Sequence, residues 1–218
     1  MDLLTLHNLS YRTEDKLILD KLNFNLQAGE FVTLTGPSGS GKSTLLKIIA
    51  SLLSATEGDI LFKGKKQAEY EITNYRQKVS YCFQQPSLFD QTVFDNLQFP
   101  FLIRNVPFSK SQVDNALAAV NLPSSYLDKK ITDLSGGEKQ RIALLRNTLF
   151  LPEILLLDEV TVGLDAYSID IVHQYINQLW QKNNLTIIQI THNEKEIAHA
   201  TKIMWLEEGR LTDVTTSR

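Results

Sequence analysis

The chain has a single cysteine, Cys82, among its 218 residues, so it can form no internal disulfide and no cysteine-built metal cluster. That scarcity fits a reducing compartment. Long apolar runs are missing too, since no stretch reaches the about 18 residues of a membrane-spanning helix. Met1 to His7 lack a basic region followed by an apolar core, so a secretory signal is not expected. Neither sign of charge dominates. Lys and Arg number 22 against 25 Asp and Glu, a net charge of −3, which gives no global pull toward nucleic acid or anionic lipid. Repeats and low-complexity tracts are absent. If the protein works at a membrane, the spanning part must come from another chain.

The composition, 43% hydrophobic and 22% charged, is that of a soluble globular domain. Leu3 to Tyr11 and Leu17 to Leu26 alternate apolar and polar residues and predict strands. Phe31 to Thr35 predicts a third, and Lys42 to Leu53 has helical spacing. Gly58 to Lys65 and Lys78 to Phe83 read as further strands. From Gln85 to Leu151 the pattern is helical, punctuated by Pro86, Pro100, Pro107 and Pro123, with the firmest helices over Ser111 to Val120 and Gly136 to Phe150. Strand and helix then alternate: Glu153 to Leu157, Ala166 to Gln181, Leu185 to Thr191, His192 to Ala200, and Lys202 to Leu211 with a turn at Glu208-Gly209. Such alternation predicts an α/β core around a parallel sheet, with the proline-punctuated middle inserted on it.

The first chemical signal is Gly36-Pro37-Ser38-Gly39-Ser40-Gly41-Lys42-Ser43, followed by Thr44, which fits G-x-x-x-x-G-K-[ST] between a strand and a helix. Glycines let the backbone curl so that successive amides face phosphate oxygens, and the helix start adds the positive end of its dipole. Lys42 supplies a point charge to the β- and γ-phosphates, and the Ser43 hydroxyl is placed for Mg²⁺. A second signal is Ile154 to Leu157 ending in Asp158 and Glu159, an apolar strand with two carboxylates at its exit. Ligands of such folds sit at the carboxyl ends of strands. Asp158 is therefore expected in the Mg²⁺ shell, and Glu159 as the base that polarises the attacking water.

The third signal is Leu134-Ser135-Gly136-Gly137-Glu138-Lys139-Gln140-Arg141. Ser135 and Glu138 alone make a capping box, which needs no glycines. Two glycines weaken a helix start by up to ~1 kcal/mol each and make sense if another molecule approaches the backbone. With these motifs the chain resembles, over nearly its whole length, the nucleotide-binding subunits of ABC transporters. The resemblance implies a P-loop NTPase core with a mainly parallel sheet, an N-terminal antiparallel β subdomain and an inserted α-helical subdomain. It implies one ATPase domain over 1–218, with 1–84 and 152–218 as the core and 85–151 as the helical part. It also implies two subunits, here a homodimer, packed head to tail around two ATP. Ser135, Gly136 and Gly137 would then contact the γ-phosphate held by the partner. Tyr11 matches the aromatic that stacks on adenine. Gln84 matches the glutamine that senses Mg²⁺ and the attacking water. Asp165 matches the interface-loop aspartate, and His192 the histidine at the γ-phosphate. Without that setting Tyr11 reads as a plain strand residue, Gln84 as a surface polar, Asp165 as a helix N-cap and His192 as a capping residue. His7, His173 and His199 have no such setting and read as structural or solvated, and Cys82 as a core filler.

Three positions depart from the family pattern. Val160 stands where proline usually follows the catalytic glutamate, and Val162-Gly163 stand where the interface loop usually reads Ser-Ala. The lost serine hydroxyl bears on coupling across the dimer. Many sugar-importer ATPases carry a C-terminal regulatory domain, which is not expected here. Tyr81-Cys82-Phe83-Gln84, Leu88-Phe89, Asp95-Asn96-Leu97, Phe99-Pro100 and Ile103-Arg104-Asn105 resemble the ATPase subunits assigned to bacterial iron export, the FetA/YbbL group. Phe99, Phe101, Leu102, Ile103, Val106 and Phe108 form either an apolar surface for a separately encoded multi-span permease or the packing of the helical part. The resemblance places the protein in the cytoplasm, peripheral on the inner face of the cell membrane. A soluble ABC-type ATPase acting on nucleic acid or the ribosome is the rival reading. It is disfavoured by the absence of a coiled coil, a tandem domain or a basic surplus, and no nucleic acid is expected as a partner.

Overall fold

Three strands are buried at every residue: β3 (Phe31–Thr35), β7 (Ile154–Asp158) and β8 (Thr186–Ile190). Continuous burial on both faces is the pattern of central parallel strands. In the computed structural model, which describes residues 2–89, 91–198 and 200–216, β3 and β7 both pair in parallel with β8. The register sets Phe31 beside Ile187 and Ile154 beside Thr186. β9 (Lys202–Glu207) extends this sheet in parallel on β3, β10 (Arg210–Thr216) turns back antiparallel, and β6 (Val79–Cys82) lies beside β7. A second, antiparallel sheet joins β1 (Leu4–Arg12), β2 (Leu17–Leu26), β4 (Glu57–Phe62) and the two-residue β5 (Lys65–Lys66) in the order β2-β1-β4-β5.

The chain divides into two compact units. The first holds Met1–Tyr81, Glu153–Asp158 and Asn184–Arg218, and the second Cys82–Pro152 and Glu159–Asn183. Within the first, α1 (Lys42–Ile49) buries Leu45, Leu46, Ile48 and Ile49 in a core shared with Leu4, Leu6, Leu22, Phe62 and Ile188. The helix ends earlier than its periodicity predicts, because Ser51 takes a left-handed φ of 57°. The sequence pattern also missed α2 (Ile72–Lys78), a seven-residue helix capped by the Glu71 carboxylate. Only Tyr75 of that helix is buried, so its pattern carries no apolar stripe.

The second unit contains α3 (Val93–Leu102), α4 (Lys110–Ala119), α5 (Gly136–Thr148) and α6 (Ala166–Asn183). The expected division left α6 with the sheet core, whereas it groups here with the helices. It touches α5 directly: the hydroxyls of Thr148 and Tyr175 are hydrogen-bonded over 2.8 Å. Pro100 is accommodated near the end of α3, where Phe101 is buried against the rings of Phe108 and Phe150. His192 to Ala200 yields only the short helix α7 (Glu194–Ile197) in the first unit. His199 lies outside the described residues.

Candidate functional site

In the first unit, the turn from β3 to α1 is the glycine-rich loop. Gly36 has a φ of +136°, and a Cβ there would lie 2.0 Å from the carbonyl oxygen of Leu206, so only glycine fits. Pro37, Ser38 and Gly39 are exposed. Gly41 is the N-cap of α1 and offers no side-chain cap, which leaves the amides of the first turn to a ligand. Lys42 is buried and donates from Nζ to the carbonyl oxygens of Gly36 and Pro37, each at 2.8 Å. Its ammonium is thus held at the mouth of the loop. Ser40 is also buried, and its Oγ has no hydrogen-bond partner among the described residues. An orphaned hydroxyl beside uncapped amides and an ammonium fits a polyphosphate.

Ser43 donates from Oγ to Oδ1 of Asp158 at 2.9 Å. Tyr81 donates its hydroxyl to the other oxygen, Oδ2. The Asp158 carboxylate is 5% exposed, so these two donors carry its desolvation. The Ser43 and Asp158 oxygens form the hard, oxygen-only set that Mg²⁺ prefers. Thr44 follows, half-buried in α1. Tyr11, in β1, pairs with Leu19 of β2 and packs partly buried against the core of this unit. His192 is exposed just past the end of β8.

In the second unit, Gln84 donates from Nε2 to Oε2 of Glu159 at 2.8 Å. Glu159 has a φ of +50°, uncommon for a residue other than glycine. Ser135 caps α5: its Oγ accepts from the Glu138 amide at 3.2 Å, and its own amide donates to the Glu138 carboxylate at 2.7 Å. Ser135 and Gly136 are exposed, and a Cβ at Gly136 would meet nothing within 4 Å. Gly137 differs. It is buried, and a Cβ there would lie 2.1 Å from Oγ of Ser168 on α6. One of the two glycines is therefore explained by close packing inside the chain, while the other leaves open backbone for an incoming group. Asp165 accepts from the Ser168 amide at 2.9 Å and from its hydroxyl at 2.8 Å, which is N-cap behaviour for α6. These bonds hold its carboxyl below the usual carboxylate range. Val160 is buried, and Val162 is 55% exposed in the loop with Gly163.

The apolar stretch at the end of α3 splits between the two alternatives. Phe101 is core, and Phe108 packs on Phe94 and Phe101. Phe99, Leu102, Ile103 and Val106 are exposed large hydrophobics. Sequence reasoning missed Tyr81, Ser168, Tyr126 and Lys129. Tyr81 carried a signal, since it lies three residues before Gln84 on a strand whose alternation places it on the face of Val79. The other three have none in the sequence.

A family profile described as "ABC transporter" matches residues 19–162. The protein described as "Probable iron export ATP-binding protein FetA" of Escherichia coli (strain K12) is 48% identical over 205 residues, covering 94% of this chain and 91% of that protein. "Spermidine/putrescine import ATP-binding protein PotA" of Spiroplasma citri is 33% identical over 219 residues, and the match spans 62% of its length. Among solved structures, "Dimeric structure of a post-hydrolysis state of the ATP-binding cassette MJ0796 bound to ADP and Pi" matches with a TM-score of 0.88 and 28% identity, over 99% of both chains.

Proposed function

Because the chain belongs to the ABC transporter family of ATP-binding subunits, we propose that it is the motor of a transporter whose membrane-spanning part is a separate permease. It is an ATPase and works with ATP and Mg²⁺. The observation that carries the site assignment is the loop from Gly36 to Thr44, with an orphaned Ser40 hydroxyl, a held Lys42 ammonium and the Ser43–Asp158 oxygen pair. Lys42, Ser40 and the α1 amides bind the phosphates, Tyr11 takes the adenine, and Ser43, Asp158 and Gln84 hold the cation. When bound, Mg²⁺ offsets charge on the phosphate oxygens. Glu159 accepts a proton from the attacking water, oriented by Gln84, and His192 meets the γ-phosphate.

Two copies close head to tail, so that Ser135 to Gly137 and Asp165 of each serve the ATP held by the other. The dimeric arrangement named for the ADP-bound relative supports this. Among the described residues no helix is long and apolar enough to cross a membrane. The exposed Phe99, Leu102, Ile103 and Val106 suit an apolar helix end of a multi-span permease, which would keep the chain peripheral on the cytoplasmic face of the cell membrane. The 48% identity to FetA supports export of iron as the transport step. Among the described residues no three His, Cys, Asp or Glu side chains group as a metal site, which fits a cargo bound by the permease.

The test is purification of the tagged chain from detergent-solubilised native membranes. Recovery of a multi-span protein whose presence, with iron(II), raises ATP turnover supports the assignment. Recovery with ribosomes or nucleic acid instead overturns the transport reading and leaves the ATPase standing.

A further inference from the structure

The head of α5 carries a charge that its proposed task does not want. Glu138 at the third helical position favours the helix through its capping bond and the dipole. The same carboxylate would repel an approaching phosphate. Three donors converge on it: the Ser135 amide at 2.7 Å, the Tyr126 hydroxyl, and the Lys129 ammonium at 3.4 Å from each oxygen. The Lys129 and Glu138 side chains are 29% and 16% exposed, so water screens the pair only in part. Lys129 is itself held in place. Its ammonium lies 4.2 Å over the Tyr126 ring, and its backbone carbonyl accepts from the Val93 amide at the start of α3 at 3.1 Å.

We propose that Lys129 is a positioning residue for ATP: its ammonium cancels the Glu138 carboxylate, so that Ser135 to Gly137 can meet the partner copy's phosphates with no like charge behind them. The proposal rests on the reading of the α5 head as phosphate-facing. The geometry supports a division of labour at Ser135. Its Oγ accepts from the Glu138 amide, and that bond leaves the hydroxyl proton to donate to a phosphate oxygen. Burial opposes ionisation of Glu138, yet the Tyr126 hydroxyl, the Ser135 amide and Lys129 together hold its carboxyl below the usual range. It therefore stays charged at neutral pH, and only a fixed cation can offset it.

The experiment is a Mg-ATP titration of steady-state hydrolysis by the full chain at low ionic strength. Lys129→Met is expected to raise the half-saturating ATP concentration roughly three- to fivefold, the scale of one partly screened charge pair. The rise shrinks at high salt. Lys129→Arg keeps the wild-type value, and Lys129→Gln repeats the neutral test should the methionine variant not fold. The deciding comparison is Lys129→Met with Glu138→Gln: the double variant should match Glu138→Gln alone. A wild-type value for Lys129→Met and Lys129→Gln, or a rise that persists in the double variant, overturns the proposal. Ser135→Glu separates the two levels. If it raises half-saturation while the Lys129 variants do not, only the role of Lys129 fails. If it changes nothing, the α5 head is not phosphate-facing and the underlying reading fails with it.

Discussion

Gln84 and Glu159 stand 75 residues apart in the chain, yet Nε2 of the first donates to Oε2 of the second at 2.8 Å. Gln84 is exposed, while Glu159 is half-buried in a left-handed backbone conformation. The amide is a neutral donor, so it turns the Glu159 carboxylate without setting a charge beside it, an orienting contact suited to a base that must face the attacking water.

Glu159→Gln should therefore lower Mg-ATP turnover by about 10²- to 10⁴-fold while nucleotide still binds. Phosphate release at saturating Mg-ATP measures the first, and light scattering should show an ATP-dependent dimer. Gln84→Ala removes the orienting donor and one proposed cation ligand but leaves the base and the Ser43–Asp158 pair in place, and should slow turnover less, roughly tenfold. Undiminished turnover by Glu159→Gln would exclude it as the base.

The two glycines at the head of α5 should separate under substitution. Gly137→Ala forces a methyl into Ser168 and should lose about 1–3 kcal/mol of stability, recovered by Ser168→Gly in the same chain. Gly136→Ala meets open space, so the helix should gain up to ~1 kcal/mol while ATP turnover falls. Denaturation midpoints read the first effect, and hydrolysis assays read the second.

Asn96 is fully buried and binds four groups: the Phe89 amide and carbonyl, the Thr92 carbonyl, and the Arg146 guanidinium at 2.9 Å. Arg146 also donates to the Ser87 carbonyl at 2.8 Å and lies 4.9 Å over the Phe89 ring. Asn96→Leu keeps the volume and strands these partners, so a loss of about 2–4 kcal/mol is expected from urea unfolding.

Cys82 is 3% exposed, and burial pushes its thiol up to about 12, against a smaller opposite pull from Arg146. An unfolded thiol ionises near about 8.5. Between that value and about 12 the unfolded state has released a proton that the folded state still holds, so stability should fall as pH rises through that window. At pH 8 the native chain should react with a thiol reagent about 10³-fold more slowly than the urea-unfolded chain, by absorbance.

What could be read from the sequence follows chain locality. Gly36 to Thr44 was legible because loop, charge and helix start are consecutive residues, and the strands β3, β7 and β8 because burial on both faces leaves an unbroken apolar run. Tyr81 on Asp158, Ser168 against Gly137 and Arg146 on Asn96 were not, because each pair joins segments that only folding brings together. The turn read at Glu208-Gly209 within Lys202 to Leu211 is present: both residues take positive φ and reverse the chain between β9 and β10. The exposed and buried halves of Phe99 to Phe108 could not be separated either, because apolar spacing alone does not say which face finds a neighbour.

Gly137, Asp165 and Ser168 form one small lock: the carboxylate holds the serine by two bonds, and the serine leaves no room for a side chain on the glycine. Substitutions at these three positions are therefore not independent events. A chain descended from this one can enlarge residue 137 only after residue 168 has shrunk, and once Ser168 is lost, Asp165 keeps the backbone amide bond of residue 168 but forfeits the hydroxyl that fixes its second oxygen. Among such descendants the three positions should drift as a single inherited character, in a fixed order of replacement.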